Sequence, residues 1–326
     1  MANAIRFHET GGPEVLRWET VEVEEPGAGE VLVRHHAVGL NFADNYYRTG
    51  LYPVPLPNGM GVEAAGVVQQ VGPGVDGFVP GDRVTYTYTG SPLGAYSTEF
   101  VLPARHLIHL PDSVDFETAA ACTMRGLTAA YLLRRIHDYR PGDTILLHAA
   151  AGGVGLIVAQ WAKLLGLTVI GTVSTEEKAA VARAHGVDHV VYYRREDVAA
   201  RVREITGGAG VPVVLDSIGA ATVQASLDSL ARRGLLVCFG TSSGPIPPID
   251  PMQLAIKGSL FVTRPALADY IADPLERADL AGELFGHIAA GRIRVDVNRT
   301  YPLAEAARAH TDLESGALVG SNILIP

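Results

Sequence analysis

The fold is decided by one stretch, Gly142-Asp143-Thr144-Ile145-Leu146-Leu147-His148-Ala149-Ala150-Ala151-Gly152-Gly153-Val154-Gly155-Leu156-Ile157-Val158-Ala159-Gln160-Trp161-Ala162-Lys163. It begins with a turn and continues as a short apolar run over 144–148, which is typical of a buried parallel strand. Small residues follow, and then a helical run from about Val154 to Leu165. A second apolar run at 167–173 completes strand, turn, helix and strand. This pattern predicts the first crossover of a dinucleotide-binding unit.

The turn inside this stretch resembles the fingerprint Gly-x-Gly-x-x-Gly, with Ala150 at the position of the first glycine. We expect Gly152 to let the backbone approach a pyrophosphate, which would bind the free N–H groups at the helix N-terminus. We expect Gly155 to let the helix pack closely on the strand. Glycines alone would also fit a simple turn, but the strand and helix on either side favour dinucleotide binding.

Length and composition limit the remaining possibilities. The 326 residues suggest two domains, and 48% of them are hydrophobic, which is enough for a large core. The net charge is −9, and no run of Lys or Arg forms a basic stripe, which argues against nucleic acid as a partner. The two cysteines lie far apart and the first residues lack the apolar segment of a signal peptide, so we expect a cytoplasmic protein.

The apolar character of residues 144–173 raises the alternative of a membrane span. A spanning helix would place Lys163 and the glycines inside the bilayer, at a cost of about 2.5–3.5 kcal/mol for the lysine alone. Strand, turn, helix and strand explain the same residues without that cost. The sequence therefore predicts no membrane partner.

The parts of the chain on either side of about residue 126 have different patterns. The first part contains short, largely alternating segments separated by Gly and Pro, which predicts antiparallel, barrel-like β structure, with strands at 5–7, 21–24, 30–35, 64–71, 83–87 and 96–102. From about Gly126, strands alternate with helices and give six parallel strands, a complete doubly wound sheet. The tail after about Leu275 most economically returns to the first domain.

Further motifs show a resemblance to a known family. A signature is met by Gly142, Asp143, Leu146, Ala150, Ala151, Gly152, Gly153, Gly155, Gln160 and Lys163. Similar segments extend over the chain: Gly11-Gly12-Pro13-Glu14-Val15-Leu16, Gly39-Leu40-Asn41-Phe42-Ala43-Asp44, Arg48-Thr49-Gly50-Leu51-Tyr52, Gly126-Leu127-Thr128 and Phe239-Gly240-Thr241-Ser242-Ser243-Gly244. Together they resemble the zinc-free NADPH:quinone oxidoreductases, the zeta-crystallin-like branch of the medium-chain dehydrogenase/reductase superfamily.

This resemblance implies an α/β fold with two domains. Residues 1–125 and 266–326 would form a GroES-like, β-rich catalytic domain, and 126–265 a Rossmann domain with a doubly wound parallel six-stranded sheet that binds NADPH. It also implies a small-molecule quinone as substrate. Members of the family are commonly homodimers through the last strand of the sheet, and Gly258–Thr263 would leave such an apolar edge unpaired. We therefore expect a homodimer.

The positions that hold zinc in related alcohol dehydrogenases carry other residues here. Val62 stands where a metal-binding histidine is expected, and the ligand cysteine near the start falls around Asn41. Zinc needs several converging nitrogen, sulfur or carboxylate ligands, so we expect no metal. The His35-His36 pair is interpreted as packing or surface residues, and Glu63 as structural.

The resemblance also places the site. It implies that Asn41, Tyr46, Tyr52 and Arg264 surround the nicotinamide and the substrate, where amides and phenols suit a carbonyl oxygen and a flat ring. All predicted NADPH contacts are Asn41, Thr128, Ala151, Gly152, Gly153, Val154, Gly155, Ser174, Lys178, Tyr193, Phe239, Thr241, Ser242, Arg264 and Asn322. Two residues depart from the family pattern: Arg125 replaces a lysine, and Gly316 replaces an arginine.

The choice between NADPH and NADH follows from the end of the second strand. NAD-specific sites place an acidic residue there to accept the ribose hydroxyls, whereas this chain has Ser174, which leaves room for a phosphate. Lys178 lies one helical turn further on and can reach back to that phosphate. Tyr193 and Arg194 match a place where relatives contact the same group. The sequence therefore predicts NADPH.

Two other functions remain open from the sequence. The same scaffold could reduce α,β-unsaturated ketones or aldehydes, and the sequence does not settle the width of the pocket that separates these substrates from quinones. A non-enzymatic crystallin-like or RNA-binding role would keep the nucleotide fold, but the acidic charge and the absence of a basic patch count against it.

Overall fold

The chain divides into two units in the computed structural model, which describes residues 1–88, 90 and 92–326. One unit comprises Met1–Leu127 together with Asp273–Pro326, and the other comprises Thr128–Ala272.

The N-terminal segment is mostly β structure, with two α-helices among its described residues. Its strands are β1 (Ala2–Phe7), β2 (Arg17–Val21), β3 (Glu30–Gly39), β4 (Asn58–Gly59), β5 (Glu63–Val71), β6 (Arg83–Thr87), β7 (Glu99–Pro103) and β8 (Leu107–His109). Its helices are α1 (Phe42–Arg48) and α2 (Phe116–Arg134). Strand β3 is the centre of the larger sheet, because it pairs antiparallel with both β5 and β7.

The middle segment alternates strands and helices. They are β9 (Thr144–Leu147), α3 (Gly153–Leu164), β10 (Thr168–Val173), α4 (Glu176–Ala184), β11 (His189–Tyr192), α5 (Val198–Ile205), β12 (Val211–Asp216), α6 (Val223–Ser229), β13 (Leu230–Cys238), α7 (Pro251–Ile256), β14 (Phe261–Thr263) and α8 (Leu267–Tyr270). The six strands pair in parallel in the order β11-β10-β9-β12-β13-β14. The predicted doubly wound sheet is confirmed, and its strand order reverses between β9 and β12.

The C-terminal segment returns to the first unit. It contains α9 (Pro274–Ala289), β15 (Val297–Pro302), α10 (Ala306–Glu314) and β16 (Ser321–Ile325). Strand β16 pairs antiparallel with β3, where Ile323 lies opposite Gly39 and Leu324 opposite Val38. This pairing places Asn322 beside the chain that leads from β3 into α1.

Several predicted strand boundaries are wrong, among them the following three. The strand expected at 21–24 lies earlier, as β2, because the register with β1 runs from Arg17 to Val21. The strand expected from 96 begins only at Glu99. The last parallel strand begins at Phe261 and not at Gly258, since Gly258 and Ser259 have φ values of 113° and 58°, which an extended strand does not permit.

The parallel sheet is deeply buried, as an α/β sheet covered on both faces should be. Ile145, Leu146 and Leu147 of β9 are each 0% exposed, which explains the continuous apolar run in the sequence. In the part of the chain that the structure describes, no helix combines the length and the apolar character that a bilayer crossing requires.

Candidate cofactor and substrate sites

The glycine turn joins β9 to α3. Gly152 is the N-cap of α3, and among the described residues no side chain caps the first turn, whose N–H groups have no acceptor within the helix. The N-terminus of α3 can therefore bind an anion, which is the property that a pyrophosphate site requires.

Close packing in this turn explains its glycines. A Cβ on Gly155 would lie 2.5 Å from the carbonyl oxygen of Ala149 and 2.9 Å from the carbonyl carbon of Ala150, so only glycine fits. Ala150, at the position of the missing first glycine, is fully buried. Its methyl group is accommodated because β10 carries Gly171 opposite it, where a Cβ would lie 2.7 Å from the Cβ of Ala150.

The predicted cofactor residues of the second unit, except Thr128 on α2, follow the carboxyl ends of parallel strands. These residues lie after β9 (Ala151–Gly155), β10 (Ser174 and Lys178), β11 (Tyr193), β13 (Phe239, Thr241 and Ser242) and β14 (Arg264). Parallel strands bring their carboxyl ends to one edge of the sheet. Ligands of doubly wound folds bind at that edge, beside the point where the strand order reverses.

Of the three residues predicted to hold a phosphate, Ser174 and Tyr193 directly follow the neighbouring strands β10 and β11, and Lys178 lies in α4. The backbone N–H of Tyr193 donates to the carbonyl oxygen of Val173 at 3.2 Å, which places Tyr193 beside Ser174. Lys178 is in the first turn of α4, where its N–H donates to Thr175 Oγ1 at 3.3 Å. Ser174 and Lys178 are half-buried, and Tyr193 is exposed.

Glu176 is one of two acidic residues, with Glu177, in the first turn of α4 that could oppose a phosphate. Its carboxylate accepts from the Tyr192 hydroxyl at 2.6 Å and from Arg195 at 3.3 Å. The hydrogen bond from Tyr192 is the main cause that lowers the pKa of Glu176, with smaller contributions from Arg183 and Arg195. Its negative charge is therefore already paired by neighbouring side chains.

A buried polar network at the same edge was not predicted from the sequence. Asp216, at the end of β12, accepts from Ser226 Oγ at 2.6 Å and from Thr222 Oγ1 at 2.8 Å. The His148 ring lies 3.0 Å from Ser226 Oγ and 3.1 Å from Thr172 Oγ1. The network links the end of β9 to the end of β12. Its only signal in the sequence is His148, the polar residue that ends the apolar run 144–148.

In the first unit, two buried carboxyls hold Asn41, the N-cap of α1. The Asn41 side-chain amide donates to Glu63 Oε2 at 2.7 Å, and its backbone N–H donates to Asp44 Oδ2 at 2.8 Å. Burial raises the pKa of Glu63 to about 7 and that of Asp44 to about 7, and the charge of Arg125 opposes both shifts. An ionised Glu63 can only accept a hydrogen bond. Its pair with Asn41 therefore fixes which side of the Asn41 amide carries the N–H donors.

The two departures from the family pattern have structural roles. The Arg125 guanidinium donates to the carbonyl oxygen of Ala121 at 2.8 Å and to that of Leu40. It therefore holds the backbone in place just before Asn41. Gly316 follows α10 with a φ of 68°, the left-handed conformation that favours glycine after a helix.

The phenols predicted to line the substrate site lie together. The rings of Tyr46 and Tyr52 are 5.2 Å apart in a T-shaped arrangement, and the Tyr52 N–H donates to the Tyr46 carbonyl at 2.8 Å. Tyr52 remains 37% exposed. Asn322 lies beside the segment that leads from β3 into α1, since its carbonyl accepts from the Leu40 N–H at 3.2 Å. Within the described residues, the buried Asn322 Oδ1 has no hydrogen-bond partner.

The residues at the zinc positions do not resemble a metal site. Val62 is fully buried in an apolar cluster. Among residues 1–88, 90 and 92–326, no group of three or more His, Cys, Asp and Glu side chains converges to hold a metal ion. His35 is a packing residue: it is buried between the Ser97 carbonyl and the Tyr86 hydroxyl, and burial lowers its pKa to about 4. His36 is exposed and stacks on Phe116 at 4.4 Å.

Two family models match the chain. Residues 27–112 match the alcohol dehydrogenase GroES-like domain, and residues 153–272 match the zinc-binding dehydrogenase model. A quinone oxidoreductase of Pseudomonas aeruginosa is 53% identical over 327 residues, covering 100% of both chains. A 2-haloacrylate reductase of a Burkholderia species is 46% identical and covers 100% of this chain and 99% of the relative. The structure of Escherichia coli quinone oxidoreductase complexed with NADPH superimposes with a TM-score of 0.97 at 49% identity, over 99% of this chain and 100% of that one.

Proposed function

Because the chain belongs to the quinone oxidoreductase branch of the medium-chain dehydrogenase/reductase superfamily, we propose that it reduces quinones with NADPH. The observation that carries the proposal is the full-length identity to quinone oxidoreductases. The glycine turn, closed to any side chain at Gly155, supports it, because this cradle fits a dinucleotide. When bound, NADPH supplies the hydride.

The residues of the second unit are suited to holding NADPH. The N-terminus of α3 presents N–H groups to a pyrophosphate, and Ser174, Lys178 and Tyr193 are suited to the ribose phosphate. Thr128, Phe239, Thr241, Ser242 and Arg264 are proposed as further contacts.

The residues of the first unit are suited to a flat, electrophilic substrate. Tyr46 and Tyr52 offer ring edges and faces for stacking and hydroxyl groups for a carbonyl oxygen. Glu63 holds the amide of Asn41 in one orientation, so that little reorganisation is needed when charge develops on the substrate. Asn322 Oδ1, which has no hydrogen-bond partner among the described residues, can accept from an amide group of a ligand.

The test is an assay of NADPH oxidation with a panel of quinones beside a panel of activated alkenes, in the presence of a strong chelator. We expect turnover with quinones that the chelator does not change, since Val62 and Asn41 stand at the zinc positions. Zinc bound stoichiometrically and lost together with activity would overturn the zinc-free mechanism. Faster turnover of alkenes would instead favour the second candidate, reduction of a double bond conjugated to a carbonyl group, which the similarity to 2-haloacrylate reductase supports.

Tyr52→Ala is expected to lower the turnover of quinones while leaving NADPH affinity nearly unchanged. The variant removes a ring proposed to stack on the quinone, and an aromatic contact of this kind is worth about 0.5–1.5 kcal/mol, or about 2- to 10-fold in rate. Steady-state kinetics would measure the change. Trp18→Ala, which removes another exposed aromatic ring of the same unit, is the control. Equal rates in the wild type and in both variants would show that Tyr52 has only a packing role.

A homodimer through β14 is the expected assembly. This strand lies at the edge of the parallel sheet, and Phe261 on it is 60% exposed. Met252 and Ile256 on α7 are 62% and 78% exposed, so the edge presents apolar surface that proteins usually cover. Phe261→Glu should therefore shift the solution mass towards the monomer at micromolar concentration. Leu275→Glu, at another exposed apolar residue, should not; a monomeric wild type would contradict the proposal.

The proposed compartment is the cytoplasm. Cys122 and Cys238 are both free and buried, which fits a reducing environment. The net charge of −9 gives no reason to expect nucleic acid as a partner.

A further inference from the structure

A chain of buried side chains leads from α10 to the start of α1. Arg48 Nη1 lies 3.0 Å from His310 Nδ1, and His310 Nε2 lies 3.1 Å from the Tyr96 hydroxyl. That hydroxyl lies 2.9 Å from Asp44 Oδ2, which also accepts the backbone N–H of Asn41. Arg48 is 1% exposed, and His310, Tyr96 and Asp44 are 0% exposed. The chain therefore joins residues far apart in sequence without solvent between them.

The direction of every hydrogen bond in this chain is determined. A guanidinium only donates, so His310 Nδ1 accepts and the neutral ring carries its proton on Nε2. Nε2 then donates to the Tyr96 oxygen, and the Tyr96 hydroxyl donates to Asp44. Burial and the adjacent charge of Arg48 lower the pKa of His310 to about 3, which agrees with a neutral ring. A chain with one allowed direction holds its last acceptor in one orientation.

This chain is suited to positioning and not to proton transport. Its outer end is Arg48, which keeps its proton and pairs with the partly exposed Glu314. A proton entering from Glu314 cannot pass through a group that never accepts one. At its inner end the chain holds the Asp44 carboxylate in one position. That carboxylate in turn holds the N-terminus of α1.

We propose that Tyr96 and His310 are positioning residues for quinone reduction, which act through Asp44 to fix Asn41 and the helix that carries Tyr46. The proposal rests on the proposed function. It assigns a role to two buried residues of the first unit for which the sequence predicted none. It also explains why an acidic residue stands three positions after Asn41: its carboxylate must reach back to the Asn41 N–H and also receive the Tyr96 hydroxyl.

The charge of Asp44 gives the proposal a measurable signature. The Asn41 N–H and the Tyr96 hydroxyl favour its ionised form, as does the charge of Arg125 on α2, whereas burial and Glu63 on β5 oppose it, and its pKa is raised to about 7. Arg48 and His310 face it from beyond Tyr96. Its Oδ1 has no hydrogen-bond partner in the described part of the chain. The ionised form is the better acceptor, so quinone turnover should rise with pH through this pKa.

Tyr96→Phe is the decisive variant, and Tyr86→Phe is its matched control. Tyr86 is also fully buried and its hydroxyl also lies 2.8 Å from a histidine, His35, but that pair has no contact with α1 in the structure described. Loss of the Tyr96 hydroxyl removes a donor to a carboxylate. We expect kcat with quinone to fall about 10-fold and the acidic limb of its pH profile to move up by about one pH unit. The Michaelis constant for NADPH should stay within about twofold.

Glu63 has a similarly raised pKa, and two backgrounds separate it from Asp44. The shift of the acidic limb caused by Tyr96→Phe should persist in the Glu63→Gln background and vanish in the Asp44→Asn background. A shift that persists in Asp44→Asn, or one that Tyr86→Phe also produces, would overturn the proposal. If Tyr96→Phe does not fold, Asp44→Asn alone decides. Loss of the acidic limb of the pH profile in Asp44→Asn supports the proposal. An unchanged acidic limb in Asp44→Asn, together with its loss in Glu63→Gln, refutes it.

A second readout separates this proposal from the proposed function. The backbone ¹⁵N–H resonance of Asn41 should titrate with Asp44, because its hydrogen is bonded to that carboxylate. The titration midpoint should rise in Tyr96→Phe and stay unchanged in Tyr86→Phe. This measurement does not depend on turnover: a wild type that fails to reduce quinones would refute the proposed function, whereas an Asn41 resonance that ignores Tyr96→Phe would refute the positioning chain.

Discussion

Gly155→Ala is expected to weaken NADPH binding by about 5- to 150-fold. The added Cβ would lie 2.5 Å from the Ala149 carbonyl oxygen and 2.9 Å from backbone atoms of Ala150, and backbone cannot move aside as a flexible side chain can. Overpacking of this kind costs about 1–3 kcal/mol. The strain is relieved only by shifting the turn or the N-terminus of α3, and these are the groups proposed to hold the pyrophosphate. Fluorescence titration with NADPH would measure the loss.

Gly282→Ala is the control for this variant. Gly282 lies in α9. Apart from its chain neighbours and the nearby backbone of its own helix, no atom in the described part of the chain lies within 4 Å of the Cβ that alanine would add. Alanine in a helix interior is better than glycine by about 0.5–1 kcal/mol, so the control should melt no lower than the wild type and bind NADPH equally. Unchanged NADPH affinity in Gly155→Ala would mean that the turn is not the cofactor site.

The parallel sheet could be predicted from the sequence because of its burial. A strand covered on both faces must be apolar along its whole length, so β9, β10 and β12 stand out as continuous runs. The second apolar run of the sequence, 167–173, forms β10 (Thr168–Val173). Most errors lie at the ends of strands, where the backbone conformation of single residues such as Ser259 decides and hydrophobic patterns carry no information. The strand expected at 21–24 is the exception, because it is displaced to Arg17–Val21.

The positioning chain could not be predicted, because its members are far apart in sequence. His310 meets Tyr96 across 214 positions and Arg48 across 262. Neither the spacing of apolar residues nor a local motif in the sequence indicates such a pairing. The only local signal is the spacing of Asn41 and Asp44, which suits an N-cap and an acidic residue in the first turn of a helix. The Asp216–Ser226–His148 network was missed for the same reason.

The family resemblance supplied the candidate substrate residues, and the structure adds what holds them. Asn41 was predicted as a contact of nicotinamide and substrate, but the sequence could not show that its amide and its backbone N–H are each bound by a buried carboxyl. Such support limits the orientations that Asn41 can adopt. Preorganisation of this kind is the property that electrostatic stabilisation of a developing oxyanion requires.

Lys178→Ala is expected to raise the Michaelis constant for NADPH by about 10- to 100-fold and to leave that for NADH nearly unchanged. A charge-assisted hydrogen bond is worth roughly 1.5–3 kcal/mol, and each 1.4 kcal/mol is tenfold. Lys178 lies in the first turn of α4, whose N-terminus also favours an anion, and Tyr193 lies on the neighbouring strand end beside Ser174. The ribose phosphate of NADPH is the anion that this arrangement suits.

Ser174→Asp tests the same site from the opposite direction. A carboxylate at the end of β10 would repel the phosphate and accept the ribose hydroxyls of NADH, so the preference should reverse. Lys257→Ala is the control, because this lysine pairs with Asp228 and follows α7, away from the end of β10. Kinetics with both cofactors would give the ratio of kcat/KM for each protein. A wild type that uses NADPH and NADH equally would show that Ser174, Lys178 and Tyr193 do not form a phosphate site.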